Sequence, residues 1–206
     1  MQPFRRLTAP AAPLLRDNID TDAIIPSREI KSVSKQGLGI GLFAGWRYRS
    51  AVGREPNPEF VLNQARFAGA RILLAGDNFG CGSSREQAVW ALADQGFQAI
   101  IAPSFAPIFH DNCINNGVLA LCLPRATVAA LADALVTARG EPRLTIDLER
   151  QELHAPDGAV IPFHIDADLR LRLLEGLDAI DLSLRRLTGL NAFYERDRRE
   201  RPWVYL

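Results

Sequence analysis

The stretch Arg71-Ile-Leu-Leu-Ala-Gly-Asp-Asn-Phe-Gly-Cys-Gly-Ser-Ser-Arg-Glu86 decides how this chain is read. It opens with a short apolar run that stops at Gly76, the mark of a buried strand, and it ends in residues suited to the start of a helix. From Ser84 to Gln95 the apolar residues Val89, Leu92 and Ala93 recur at helical spacing, and Gly96 supplies a stop before Phe97. A second apolar run, Gln98-Ala-Ile-Ile-Ala102, ends at Pro103. The unit is therefore strand, glycine-rich loop, helix, strand. Farther out, Ser104 to Asn115 predicts a helix closed by Gly117, Leu119 to Leu123 a third strand, and Ala126 to Ala138 a helix closed by Gly140. Such alternation argues an α/β fold with at least partly parallel pairing. After Pro142 the pattern changes: Leu144–Leu148 and Ala159–His164 flank a turn at Pro156-Asp-Gly158 and read as hairpin strands, with helices from Ala167 onward. The run Glu195-Arg-Asp-Arg-Arg-Glu-Arg201 is mixed in sign and reads as a solvated helix end. Towards the N-terminus, the glycine-rich segment Gly37 to Gly45 is expected to be a mobile loop.

Composition narrows the function classes. A chain of 206 residues can bury about 70% of its unfolded surface, so it needs no disulfide framework to fold. With 24 basic and 24 acidic residues it has no bulk attraction to nucleic acid or an anionic membrane, and recognition of a charged ligand must come from a local site. Cys81, Cys113 and Cys122 are odd in number and contain no Cys-x-x-Cys spacing, which fits a reducing compartment. The N-terminus lacks an apolar signal region and no run is long enough to span a membrane, so a cytoplasmic protein is expected.

The loop between the first strand and helix carries the chemistry. A helix N-terminus presents unpaired N–H groups and partial positive charge, so an anion can be held there by backbone. Gly80 and Gly82 would permit close approach of a ligand, and Arg85 adds a planar fork suited to carboxylate or phosphate. A purely structural role also fits, because Ser83-Ser84-Arg85-Glu86 matches a capping box with Ser83 as N-cap and Glu86 at N3. A Walker loop is excluded by the missing lysine, and a dinucleotide fingerprint by Arg85 standing where its third glycine belongs. Cys81 could act as a thiolate, but no histidine adjoins it, and His110, His154 and His164 lie elsewhere. The acidic cluster Asp17-Asn-Ile-Asp-Thr-Asp22 reads as Asx turns and an N-cap rather than a cation site, because it lacks the glycine and distal glutamate of an EF-hand.

Three motifs in order, Asp17-Asn-Ile-Asp-Thr-Asp-Ala-Ile-Ile-Pro26, Asn78-Phe-Gly-Cys-Gly-Ser-Ser-Arg-Glu86 and Ile101-Ala-Pro-Ser-Phe-Ala106, resemble the small subunits of bacterial 3-isopropylmalate dehydratases. Gly45-Trp-Arg47, Pro56-Asn-Pro58, Phe60-Val-Leu-Asn63 and Gly176-Leu-Asp178 extend the resemblance over most of the chain. It implies a swivelling β/β/α domain of the aconitase C-terminal type, with a core of about 8–165 and a C-terminal helical extension of about 167–206. It implies a hydro-lyase of leucine biosynthesis, which isomerises 2-isopropylmalate by dehydration and rehydration and is active only with a large subunit. The resemblance places a [4Fe-4S] cluster in that large subunit, acting as Lewis acid on the departing hydroxyl, and no cofactor or metal in this chain. By similarity to aconitase, Ser83 is the base and Ser84 and Arg85 contact substrate carboxylate. A serine can serve as base only if its alkoxide is stabilised, which is expected of helix N–H groups with Arg85 nearby.

Two positions depart from the family pattern. Gln87 stands where histidine is common, which removes a titratable group beside the site. The substrate-facing loop after Pro26 reads Ser27-Arg-Glu-Ile-Lys31, more charged than an isopropyl group prefers, and Arg28 there is a further candidate for binding carboxylate. A paralogous dehydratase subunit acting on another 2-hydroxy diacid is thus one alternative. A stand-alone anion-binding or regulatory module is another.

Overall fold

The computed structural model describes residues 1–31, 33–50 and 53–205, with only the backbone of Ala179. Seven strands form one sheet: β1 (Arg6–Leu14), β2 (Ile72–Ala75), β3 (Ala99–Ala102), β4 (Leu119–Cys122), β5 (Arg143–Asp147), β6 (Glu152–His154) and β7 (Val160–Pro162). Their order is β4-β3-β2-β1-β5-β6-β7, parallel from β4 to β1 and antiparallel from β1 to β7. The helices that matter for the site are α1 (Thr21–Ile24), α2 (Ala44–Arg47), α3 (Gln87–Gln95), α4 (Pro107–Asn115) and α5 (Arg125–Thr137).

Strands β2 and β3 are apolar along their whole length because both faces are covered. Side chains alternate between two cores. Leu73, Ala75, Ile100 and Ala102 pack with Val89 and Leu92 of α3 and Phe109 of α4. Ile72, Leu74, Ala99 and Ile101 pack on the other face with Val128, Leu131 and Leu135 of α5. The expected α/β alternation is present, and the helix at 104–115 begins three residues later, at Pro107, whose missing N–H is harmless in a first turn.

The central strand β1 escapes the sequence reading because it contains Pro10 and Pro13. Its register shows why both are tolerated. Arg71 N–H donates to the Pro10 carbonyl, so Pro10 faces the β2 side at the point where β2 is only beginning. Ala11 N–H donates to Pro142, so by alternation Pro13 faces the β5 side, beyond the last β5 pair at Pro10 and Arg143. Neither proline removes a ladder bond.

Leu144–Leu148 and Ala159–His164 do not pair with each other as the hairpin reading expects. β6 lies between them: Leu153 stands opposite Ile146 on one side and Ile161 on the other. With only three residues, β6 is too short to show an alternating pattern.

The segment 37–45 is packed instead of mobile. Leu38, Leu42 and Phe43 are buried, Gly39 N–H donates to Asp94 at 2.7 Å, and Phe43 stacks on Trp46 with ring centroids 5.7 Å apart. Its glycines admit the neighbouring chain: a Cβ on Gly39 or Gly41 would strike the backbone of Gln95 or the side chain of Glu29.

Beyond Ile165 the chain is helical: α6 (Ala167–Glu175), α7 (Ala179–Leu184) and α8 (Leu187–Glu200). Leu206, the last residue of the expected extension, lies outside the described residues. The charged run at 195–201 is mostly solvated, with the exception of Asp197, which is buried under Arg201 and Tyr205 and accepts a hydrogen bond from each at 2.7 Å.

Candidate active site

The loops that leave the C-terminal ends of β1, β2 and β3 converge, at the end of the sheet where open α/β folds bind ligands. Backbone bonds join the first two: Asn18 N–H to Asp77, Gly80 N–H to Ile19, and Thr21 N–H to Cys81, at 2.8 to 2.9 Å. Ser104, after β3, accepts from Asn78 N–H at 2.8 Å and donates to Asp77 at 3.0 Å. The positions of Ser83, Ser84 and Arg85 thus follow from three separate parts of the sequence.

Each carboxylate of the 17–22 cluster has a partner within the protein. Asp17 accepts from Asp77 N–H and from Arg125 at the start of α5, and the Arg125 hydrogen bond, aided by that N–H, holds its carboxyl below the usual range. Asp20 caps α1 by accepting from Ala23 N–H at 2.6 Å. Asp22 lies 2.5 Å from Arg85 Nη1, and that hydrogen bond lowers its pKa. The Asx-turn and N-cap reading accounts for Asp20, while Asp17 and Asp22 serve to hold arginines.

The capping box is not formed. Helix α3 starts at Gln87, four residues after Ser83, and the residue in its N-cap position, Glu86, has helical dihedrals and makes no capping bond. Both expected capping groups are engaged elsewhere: Glu86 Oε1 accepts from Asn116 at 2.8 Å and Trp90 at 3.3 Å, and the Ser83 hydroxyl lies 3.0 Å from that of Thr21. The partner the structure gives the Ser83 hydroxyl is thus Thr21 and not a helix N–H.

The glycines beside Cys81 border the pocket that Ser83, Ser84 and Arg85 line, as the reading of a close ligand approach expects, and each also meets a demand of the fold. Gly80 has φ +78° and packs against the buried Phe109, whose ring a Cβ would penetrate. Gly82 has φ +89° with nothing closer than 3.4 Å to a Cβ, so it is needed for its left-handed backbone.

Ser83, Ser84 and Arg85 line one pocket of about 180 Å³, which Thr21 closes on one side and Ile108 and Asn112 of α4 on another. Ser83 and Ser84 are exposed, so the pocket is reachable by solute. The Arg85 side chain is 18% exposed, and among the described residues both its side-chain hydrogen bonds, to Asp22 and to the Ile25 carbonyl at 3.1 Å, use Nη1. The Nε and Nη2 edge, a bidentate match for carboxylate, remains available. Ile108 and Asn112 carry no motif by which sequence reading would pick them out, and Thr21 lies in the Asp17–Pro26 motif without being singled out there; only the convergence of the loops makes them neighbours.

The structure does not bring Arg28 into this pocket. It sits in a 3₁₀ turn, Ser27–Glu29, and faces Glu29 at 3.6 Å. Glu29 is itself nearly buried and pairs with Arg54 at 2.5 Å, so the acidic charge of the loop after Pro26 is matched within the chain. Gln87 stands at the first position of α3. None of the three histidines lines the pocket: His110 packs on Phe105, His154 lies near Glu152, and His164 is exposed. Cys113 is fully buried, which pushes its thiol well up, and Cys81 and Cys122 lie in a loop and at the end of β4. Among the described residues no group of three His, Cys, Asp or Glu is placed to hold a metal ion. No described helix is long and apolar enough to cross a membrane.

Comparison with known proteins bears on the family and the fold. The aconitase C-terminal domain family model matches residues 1–126, and the LeuD_N model matches residues 134–167. The 3-isopropylmalate dehydratase small subunit of Cupriavidus necator is 55% identical over 205 residues, spanning 100% of this chain and 99% of that protein. The small subunit of the same name from Methylibium petroleiphilum is 48% identical over 211 residues, with 99% and 97% covered. The crystal structure of 3-isopropylmalate dehydratase (leuD) from Methanocaldococcus jannaschii superposes with a TM-score of 0.62 at 27% identity, covering 91% of this chain and 99% of that one. With its α/β sheet, its serine-arginine pocket and matches along its whole length, the chain belongs to the family of 3-isopropylmalate dehydratase small subunits, built on an aconitase C-terminal domain.

Proposed function

We propose that this chain supplies the base and a carboxylate clamp to a cytoplasmic 3-isopropylmalate dehydratase, which it completes by docking its open pocket on a large subunit. Ser83 takes the carbon-bound proton of the malate derivative, holds it on Oγ, and returns it at the neighbouring carbon when water is added back. Ser84 and the Nε–Nη2 edge of Arg85 hold a carboxylate beside it. A [4Fe-4S] cluster held by the large subunit would supply the Lewis acid for the departing hydroxyl, while this chain's own residues bind the substrate and move its proton. The observation that carries the proposal is the convergence of Ser83, Ser84 and Arg85 on one exposed pocket, with Arg85 already paired to a carboxylate, that of Asp22.

The internal pairing of Glu29 with Arg54 takes that carboxylate out of contention beside the 27–31 loop, which lessens the electrostatic objection to an isopropyl group there. Reconstitution tests the reading. The purified chain should be inactive alone and should restore formation of the unsaturated intermediate from 2-isopropylmalate when mixed with its cluster-loaded partner. Faster turnover of a different 2-hydroxy diacid would point to the paralogous subunit, and no partner and no turnover would point to a regulatory module.

A further inference from the structure

We infer that Thr21 is a positioning residue for Ser83: its buried hydroxyl orients the Ser83 Oγ and supplies the hydrogen-bond donor that an alkoxide there requires. The inference rests on the reading of Ser83 as the base. Thr21 is only 1% exposed, a polar side chain enclosed in a largely apolar interior. Its hydroxyl lies 3.1 Å from the Ser83 carbonyl and 3.0 Å from Ser83 Oγ, and no other described element offers Ser83 Oγ a hydrogen bond.

Capping does not explain this hydroxyl. Thr21 is the first residue of α1, and the cap is already made by Asp20 through Ala23 N–H. Packing does not explain it either, since valine has the same shape and burying a hydroxyl is costly unless it is bonded. What the hydroxyl does follows from its single proton. When Ser83 is neutral, the Thr21 hydroxyl donates to the Ser83 carbonyl, and Ser83 donates its own proton to the Thr21 oxygen. When Ser83 lacks that proton, Thr21 rotates about its C–O bond and donates to the alkoxide instead. The Ser83 carbonyl keeps a second donor throughout, the Arg85 N–H at 2.7 Å, so the rotation leaves no buried acceptor unpaired.

The test uses the reconstituted complex with its large subunit. Thr21→Val, which keeps the shape, should lower kcat by about 10- to 100-fold, the order expected for one hydrogen bond to a charged oxygen, and leave KM and complex formation nearly unchanged. Thr21→Ser should recover most of that loss. In a Ser83→Ala background Thr21→Val should add nothing further, because the two act as a unit. The inference is overturned if kcat is unaffected, if activity and complex formation fall together, if Thr21→Ser is as poor as Thr21→Val, or if the losses add. Ser83→Ala alone separates the two ideas: should it retain near-normal turnover, the base assignment fails and this inference with it, whereas an inactive Ser83→Ala beside a fully active Thr21→Val refutes the Thr21 role alone.

Discussion

Gly80→Ala and Gly82→Ala together test whether this loop is shaped by packing or by ligand access. Both residues lie in the left-handed region, at φ +78° and +89°, where an alanine costs about 1–2 kcal/mol. At Gly82 nothing more is added, because the nearest atom to a new Cβ is 3.4 Å away, an ordinary contact. At Gly80 the Cβ enters the Phe109 ring, which is 2% exposed and held edge-on by Phe79 at 5.3 Å, so it has little room to turn. Overpacking of this kind adds about 1–3 kcal/mol. The totals are about 2–5 kcal/mol for Gly80→Ala against about 1–2 kcal/mol for Gly82→Ala. At roughly 2–4 °C per kcal/mol for a chain of this length, Tm should fall by about 4–20 °C and about 2–8 °C respectively. Scanning calorimetry of the purified variants reads both. A Gly80→Ala variant with wild-type Tm but a raised KM in the reconstituted enzyme would refute the packing account and restore the view that Gly80 makes room for substrate.

Leu42→Ala should cost about 2–5 kcal/mol by cavity formation, since Leu42 is fully buried, and chemical denaturation would measure it; a negligible cost would mean that 37–45 is a loose lid after all. The Asp22 carboxyl is held below its ordinary value of about 3.9 by Arg85, so the pairing stabilises above that pH and is lost as pH falls through the lowered value. In Arg85→Gln the Asp22 midpoint, followed by carboxyl NMR, should move up, with a stability loss under about 1 kcal/mol because Asp22 is 60% exposed. An unmoved midpoint would show that the pair does not form in solution.

What sequence reading reached here depended on range. The strands at 72–75 and 99–102 and the helix that follows each carry local patterns, and their boundaries fall within a few residues of expectation. Strand β1 was hidden because proline counts against a central strand unless the ladder's ends are known. At the site, the Ser83-Ser84-Arg85 run was legible, because glycines, hydroxyls and a guanidinium crowd one turn. The capping box was a misreading for a tertiary reason: Thr21, 62 residues away, takes the Ser83 hydroxyl, and Asn116 takes Glu86. Arg28 shows the converse. Its charge suggests a ligand, yet the structure places it outside the pocket, 3.6 Å from a Glu29 that Arg54, 25 residues on, holds.

The most direct measurement is the turnover of the complex assembled with Ser83→Ala. If Ser83 is the base, kcat falls by about 10²- to 10⁴-fold while the variant binds the large subunit as the natural chain does. Turnover that stays near normal, or that falls only as far as assembly falls, would contradict the assignment and leave Ser83 a structural residue of the loop.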